Sequence, residues 1–296
     1  MRLFEKFQGL FSSGKRGMDV ELRFERVRSA VSGTMSNFYV SRDRERNNEV
    51  VGLKLCDPVK VDFFESRFRG LGKPSEGEIA TTMDHPNVAK TYEYGVTNKG
   101  LPYLVMEFVD GPGVQLIVQE RDEAAVRGKR LQMIREMATA LAYVHRSEYI
   151  HRDICPRNYI CSNDMSIVKL IDFGLSVPAT KPFMQPGNRT GTPLYMAPEI
   201  VRRRATDKRV DVFAFGVTCY HLLTFELPWP SNDTTGKAAL HHDTSPAADI
   251  FSFRPDLDRS LGAAVMNAMK PNVNDRTPDI NTFIRQIKSA KSEFAS

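Results

Sequence analysis

The chain has little cysteine, and what it has is not arranged for bonding. Cys56, Cys155, Cys161 and Cys219 show no paired spacing of the zinc-binding kind and no secreted framework, which favours a reducing cytosol. There is no run of about 18 apolar residues, so no membrane span is expected. No internal repeat is visible. Charge of one sign is also lacking: 41 Lys and Arg face 36 Asp and Glu, a net +5. That balance suits acidic or phosphorylated partners and gives no ground for a nucleic-acid surface. The densest basic cluster, Arg202-Arg203-Arg204 with Lys208 and Arg209, reads as a solvated turn or as a docking patch. What remains is ordinary for a globular chain: 296 residues, 41% hydrophobic and 26% charged, enough for one large domain or two lobes. In the first stretch, Phe4, Phe7, Leu10 and Phe11 recur at helical spacing beside Arg2, Lys6, Lys15 and Arg16. No cleavage site follows, which excludes a signal peptide and leaves a segment packed on the domain or, less favoured, one touching a membrane surface.

Two polar turns that follow apolar runs carry the chemistry. The first, His151-Arg152-Asp153-Ile154-Cys155-Pro156-Arg157-Asn158, follows the helical stretch Leu141–Val144 and then Tyr149-Ile150. The second, Asp172-Phe173-Gly174, follows Ile167–Ile171, which reads as a strand. Two carboxylates and an Asn on neighbouring loops suit phosphoryl transfer. One acid orients a hydroxyl and accepts its proton, while the other acid and the Asn hold Mg²⁺ on nucleotide phosphates.

In this order and spacing the two stretches resemble the catalytic loop and metal-binding motif of the eukaryotic-type (Hanks-type) serine/threonine protein kinases. The resemblance runs from about Phe24 to Ile287 and implies an α+β, bilobal protein-kinase fold. Residues 1–23 would be an N-terminal extension, 24–109 a small β-rich N-lobe including the hinge, and 110–296 a larger, mainly helical C-lobe. ATP and Mg²⁺ are the implied cofactors and a protein the implied substrate, in the cytoplasm. Asp153 would be the catalytic acid-base group, and Asn158 and Asp172 the metal ligands. Lys54, in the strand Val50–Leu55, would grip the phosphates, paired with Glu76; Glu78 and Glu65 are the competitors. Pro74 suits the start of the helix that bears this glutamate. Met106 would gate the back pocket. The backbone of Glu107 and Val109 would meet the adenine edge, and Ile160 would form the floor. Thr192, in Gly191–Glu199, would touch Asp153, Asp211 would tie the catalytic loop's backbone, and Arg276 would pair with Glu199.

Several positions depart from the family pattern. Of the three glycines of its phosphate loop only Gly33 survives, with Val31 and Ser36 at the other places. The usual Lys two residues after the catalytic acid is Cys155, and Arg157, two further on, is the candidate to reach the γ-phosphate instead. Cys155 reads as a small filler or as a redox-sensitive thiol. Phe38 stands where a small aliphatic is usual and Gly52 where Ala is usual, which suggests an exchange of volume across the adenine site. These departures keep open a second reading, a pseudokinase acting as a nucleotide-binding scaffold or interaction module. Arg152 is expected to meet a phosphate on the following loop. Asn188 stands where relatives carry the switch residue, which leaves Thr190 first and Thr180 second.

Overall fold

The structure, a computed structural model, describes residues 17–28, 31–33, 35–187, 189–229 and 238–295. The N-terminal amphipathic stretch and Asn188 lie outside them.

Strands form where β-branched and aromatic residues alternate with polar ones. β1 (Phe24–Arg26) and β2 (Val31–Ser32) both pair antiparallel with β3 (Ser36–Asp43). β4 (Glu49–Cys56), β5 (Thr91–Val96) and β6 (Pro102–Glu107) complete an antiparallel sheet of order β1-β3-β4-β6-β5. Successive side chains on a strand point to opposite faces. Val51 and Leu53 therefore join Phe24, Tyr103 and Val105 in a buried apolar cluster on one face. Gly52, Lys54 and Cys56 take the other, together with their ladder partners Phe38 and Met106.

Three helices before and beside this sheet are set by side-chain caps. α1 (Val20–Arg23) starts on Asp19, and α2 (Pro58–Glu65) starts on Asp57 with Pro58 at its first position. α3 (Glu76–Thr81) starts one residue after Ser75, whose hydroxyl accepts the N–H of Glu78 while the Glu78 carboxylate takes the N–H of Ser75. This reciprocal cap fixes the boundary and leaves Pro74 outside the helix, a correction to the expected start.

The remaining chain is mainly helical. It runs through α4 (Val114–Glu120), α5 (Glu123–Val126) and α6 (Arg130–Arg146) to the short strands β7 (Tyr149–Ile150), β8 (Tyr159–Cys161), β9 (Val168–Leu170) and β10 (Val177–Pro178). Then come α7 (Pro198–Val201), α8 (Arg209–Thr224), α9 (Ile250–Phe253), α10 (Arg259–Ala268) and α11 (Ile280–Gln286). α6 buries Leu131, Ile134, Ala138, Leu141 and Val144 on one stripe. α8 is buried almost all round, the mark of a helix at the centre of a core.

The chain divides into two compact units. The first holds the chain up to Asp84 together with Ala89–Phe108, and the second holds His85–Val88 together with Val109 onward. His85–Val88 belong with the second unit for a local reason. Asn87 Nδ2 donates to Val168 O at 3.0 Å, and Leu170 N donates back to Asn87 O at 2.8 Å. Among the described residues no helix is long and apolar enough to cross a membrane.

Candidate active site

In the first unit, Lys54 Nζ lies 2.5 Å from Glu76 Oε1, with both side chains largely covered. Burying an ammonium is costly unless a carboxylate meets it, and here one does. Glu78 is taken by the cap of α3, and Glu65 lies 4.0 Å from Lys73, so neither competes. α3 comes close enough because Gly77 has no side chain: a Cβ there would lie 2.3 Å from the Tyr94 ring. A glycine, which by itself weakens a helix, is thus what lets α3 approach β5. Cys56 Sγ lies 4.0 Å from Glu76 Oε2.

On the same sheet face, a Cβ on Gly52 would lie 2.6 Å from Phe38 Cζ and 3.1 Å from Met106 Cγ. The Phe38 ring thus fills the room above Gly52 directly. Gly33 N donates to Ser36 O at 2.8 Å, closing the hairpin turn. The Val31 side chain lies outside the described parts. The Glu107 N–H is taken by Lys90 O, and Met106 is buried.

In the second unit, β8 and β9 form a ladder, and Ile171 N donates to Asn158 O at 2.9 Å just beyond its end. That ladder brings Asn158 and Asp172 to neighbouring ends of two antiparallel strands. Ile160 sits half-buried on β8, and Val109 is half-buried after β6. Asp153 Oδ1 accepts the Thr192 N–H at 2.9 Å and the Thr192 hydroxyl at 2.7 Å. Its Oδ2 accepts Asn158 Nδ2 at 3.0 Å and Arg157 Nη2 at 3.2 Å. Arg157 also donates to Thr192 Oγ1 at 3.2 Å. Asp172 Oδ1 accepts the Gly174 N–H at 2.9 Å. Arg152 and Asp172 both adopt left-handed backbone, with φ of 67° and 66°. Such conformations are costly for a side-chain-bearing residue and persist where the surroundings enforce them.

The enforcing group beneath the first loop is Asp211. Its Oδ2 accepts the His151 N–H at 2.7 Å and its Oδ1 accepts the Arg152 N–H at 2.8 Å, while His145 Nε2 lies 2.9 Å away. Burial alone would raise this carboxyl's pKa, but the His145 contact and the bond from the His151 N–H hold it below the ordinary range. Glu199 and Arg276 form a bidentate pair at 2.7 and 3.0 Å, as expected. Burial pushes the Cys155 thiol up to about 12. Buried and short of thiolate, the reactive form, Cys155 fits the small-filler reading.

Some contacts carried no sequence signal. His145 Nε2 sits beside Asp211, Tyr195 Oη lies 2.8 Å from His221 Nδ1, and His242 Nδ1 lies 2.8 Å from Met196 O. Lone histidines of this kind become informative only once the chain is folded. The basic cluster is largely paired within the unit: Arg202 with Asp243, Lys208 with Glu148 and Arg209 with Asp207. Arg152 Nη2 donates to Thr206 Oγ1 at 2.8 Å and to Phe183 O at 3.2 Å, so packing of the loop already engages it. Thr180 is exposed, Thr190 half-buried and Ser176 fully buried.

Residues 26–290 match the family model described as protein kinase domain. The chain is 30% identical over 255 residues to serine/threonine-protein kinase PknB of Mycolicibacterium smegmatis, covering 82% of this chain and 39% of that protein. It is 31% identical over 252 residues to PknB of Mycobacterium tuberculosis, covering 82% and 39%. To PrkC of Bacillus subtilis it is 25% identical over 276 residues, covering 93% and 41%. The chain thus spans well under half the length of these relatives.

Proposed function

The chain belongs to the protein kinase domain family, and from that premise we propose that it is an ATP-dependent serine/threonine protein kinase, moving the γ-phosphoryl group of ATP to Ser or Thr hydroxyls of protein substrates. The printed names of its relatives support the serine/threonine class. The observation that carries the reading is the Lys54–Glu76 pair at 2.5 Å. An interaction module that holds no nucleotide has no need to bury an ammonium on a carboxylate at the position that grips phosphates, whereas phosphoryl transfer depends on it.

Asp153 orients the substrate hydroxyl and accepts its proton as the oxygen bonds to the γ-phosphorus and the bond to the departing ADP oxygen breaks. Its four hydrogen bonds hold the carboxylate in one orientation, which is how positioning lowers such a barrier. Lys54 holds the α- and β-phosphates. Arg157 reaches from beside Asp153 toward the γ-phosphate. On the nucleotide we place Val31, Gly33, Phe38, Gly52, Met106 and Glu107.

The divalent metal we propose is Mg²⁺, which would neutralise charge on the phosphates. Asn158 and Asp172 would hold it. The Asn158 amide nitrogen is spent on Asp153, so its oxygen is the atom free to meet a cation. Among the described residues no three His, Cys, Asp or Glu side chains gather into a metal cage. Two protein ligands completed by phosphate oxygens suit Mg²⁺ better than an all-protein site.

The test is incorporation of label from [γ-³²P]ATP with Mg²⁺, using the protein and Asp153→Asn on a generic basic protein as acceptor. Transfer that Asp153→Asn abolishes is the expected result. Nucleotide binding with no transfer by the unaltered protein would instead favour the scaffold reading.

A further inference from the structure

The basic cluster of residues 202–209 borders a groove that phosphoryl transfer does not use. The groove has a volume of about 440 Å³ and lies between the turn that joins α7 to α8 and the loop that follows α10. Pro198, Ala205, Pro271 and Val273 give it apolar walls, and Arg204 and Arg209 give it cations. One buried residue fixes both sides. Arg276, 3% exposed, donates to Glu199 on one wall and to Pro271 O on the other at 3.1 Å. Arg209 adds a bond to Val273 O at 2.9 Å, and Arg204 N donates to Glu199 O at 2.8 Å. The walls are thus set before anything binds, so a ligand has little ordering cost to meet.

Charge in the groove is not balanced. Arg276 takes Glu199, Arg209 takes Asp207, and Arg202 takes Asp243 through two bonds. The Arg202 contact holds the Asp243 carboxyl below its ordinary range, and the charge of Arg204 adds to this from farther off. One carboxylate therefore serves two guanidiniums. Arg204 is exposed, and among the described residues no carboxylate lies within ion-pair distance of it. Its planar fork of donors is left to meet a carboxylate from outside.

We propose that this groove docks an acidic segment of the protein substrate, with a carboxylate on Arg204 and an apolar side chain against Pro271 and Val273. This rests on the kinase reading above and adds a substrate class to it. The stretch of chain that begins at Thr192, hydrogen-bonded to Asp153, reaches the groove at Pro198. A substrate gripped there is held on the same continuous stretch that meets the catalytic carboxylate. The net charge of +5 favours approach of such a segment.

The test uses two acceptor peptides with the same serine-containing half, joined by a flexible linker of several lengths to a tail. One tail alternates aspartate and leucine, and the other has asparagine in place of aspartate. With the unaltered protein, the acid tail should lower KM about five- to tenfold at low salt and leave kcat alone. Arg204→Glu should erase that difference, and about 0.5 M NaCl should shrink it. Arg42→Glu makes the same change of charge on exposed β3 and should preserve it. Thermal melting establishes that each variant is folded. Equal KM for the two peptides with the unaltered protein would overturn the proposal. So would an advantage that survives Arg204→Glu, or one that Arg42→Glu removes equally, since net charge alone would then explain it. Fluorescence anisotropy of the labelled acid tail reads the groove without catalysis. Tail binding that Arg204→Glu removes, with no transfer to any acceptor, would support the groove and overturn the kinase reading on which its substrate role rests.

Discussion

Asp153 is held by donors from three residues, and their loss should leave different kinetic signatures. Arg157 is the most exposed of them, with about half of its side chain open to solvent. If it stabilises charge that develops on the γ-phosphate, Arg157→Ala should lower kcat by about 10- to 100-fold and change KM for ATP much less. Cys155→Lys should leave kcat unchanged or raise it. A large loss in Cys155→Lys with none in Arg157→Ala, in steady-state assays, would reverse these roles. Cys155 itself lies in the protein interior, its Sγ 3.6 Å from Thr192 Oγ1. With its thiol pushed up to about 12 by burial, it stays protonated at neutral pH. Iodoacetamide at pH 8 should therefore leave Cys155 unmodified in the folded protein and alkylate it after denaturation, as read by peptide mass spectrometry.

Among the elements, α3 and the segment Gly191–Glu199 show how far a sequence can be read. The face of β4 that bears Lys54 follows from strand alternation, and the apolar period of Leu131, Ile134, Ala138, Leu141 and Val144 marks α6 as a helix. The start of α3 was not, because Pro74 and Ser75 both signal helix starts and only the reciprocal bonds with Glu78 decide between them. Likewise, Gly77 reads as a weak point until Tyr94, seventeen positions away, is packed against it. Gly77→Ala should push α3 off the sheet, lengthen the Lys54–Glu76 contact and cost about 10- to 100-fold in kcat/KM while the fold survives. The segment that bears Thr192 leans on His221, whose pKa burial lowers to about 4 from the ordinary 6.5. The unfolded chain then binds a proton at His221 between those two values and the folded chain does not. Stability should fall as pH drops through that window. His221→Asn should flatten this part of a plot of Tm against pH.

At the scale of the molecule, the second unit is closed by its own C-terminal end. Arg130, at the start of α6, is fully buried with Glu293 at 2.9 Å, and the Glu293 carboxylate also accepts the Arg130 N–H at 3.0 Å. No periodicity in the sequence announces a pair 163 positions apart. Glu293→Ala leaves the buried guanidinium with Glu123 as its remaining carboxylate partner and should cost about 1–3 kcal/mol in urea unfolding. Asp211 does for the catalytic loop what Glu293 does for the chain end, and that has a consequence for time as well as for shape. The amide protons of His151 and Arg152 are both held by one carboxylate at the start of α8, out of reach of solvent. They can exchange with deuterium only when that helix lets go, so their exchange should be among the slowest in the unit although they sit in a loop. Two slow amides immediately before Asp153 would make the loop's isotope clock a gauge of how long the site stays assembled between openings.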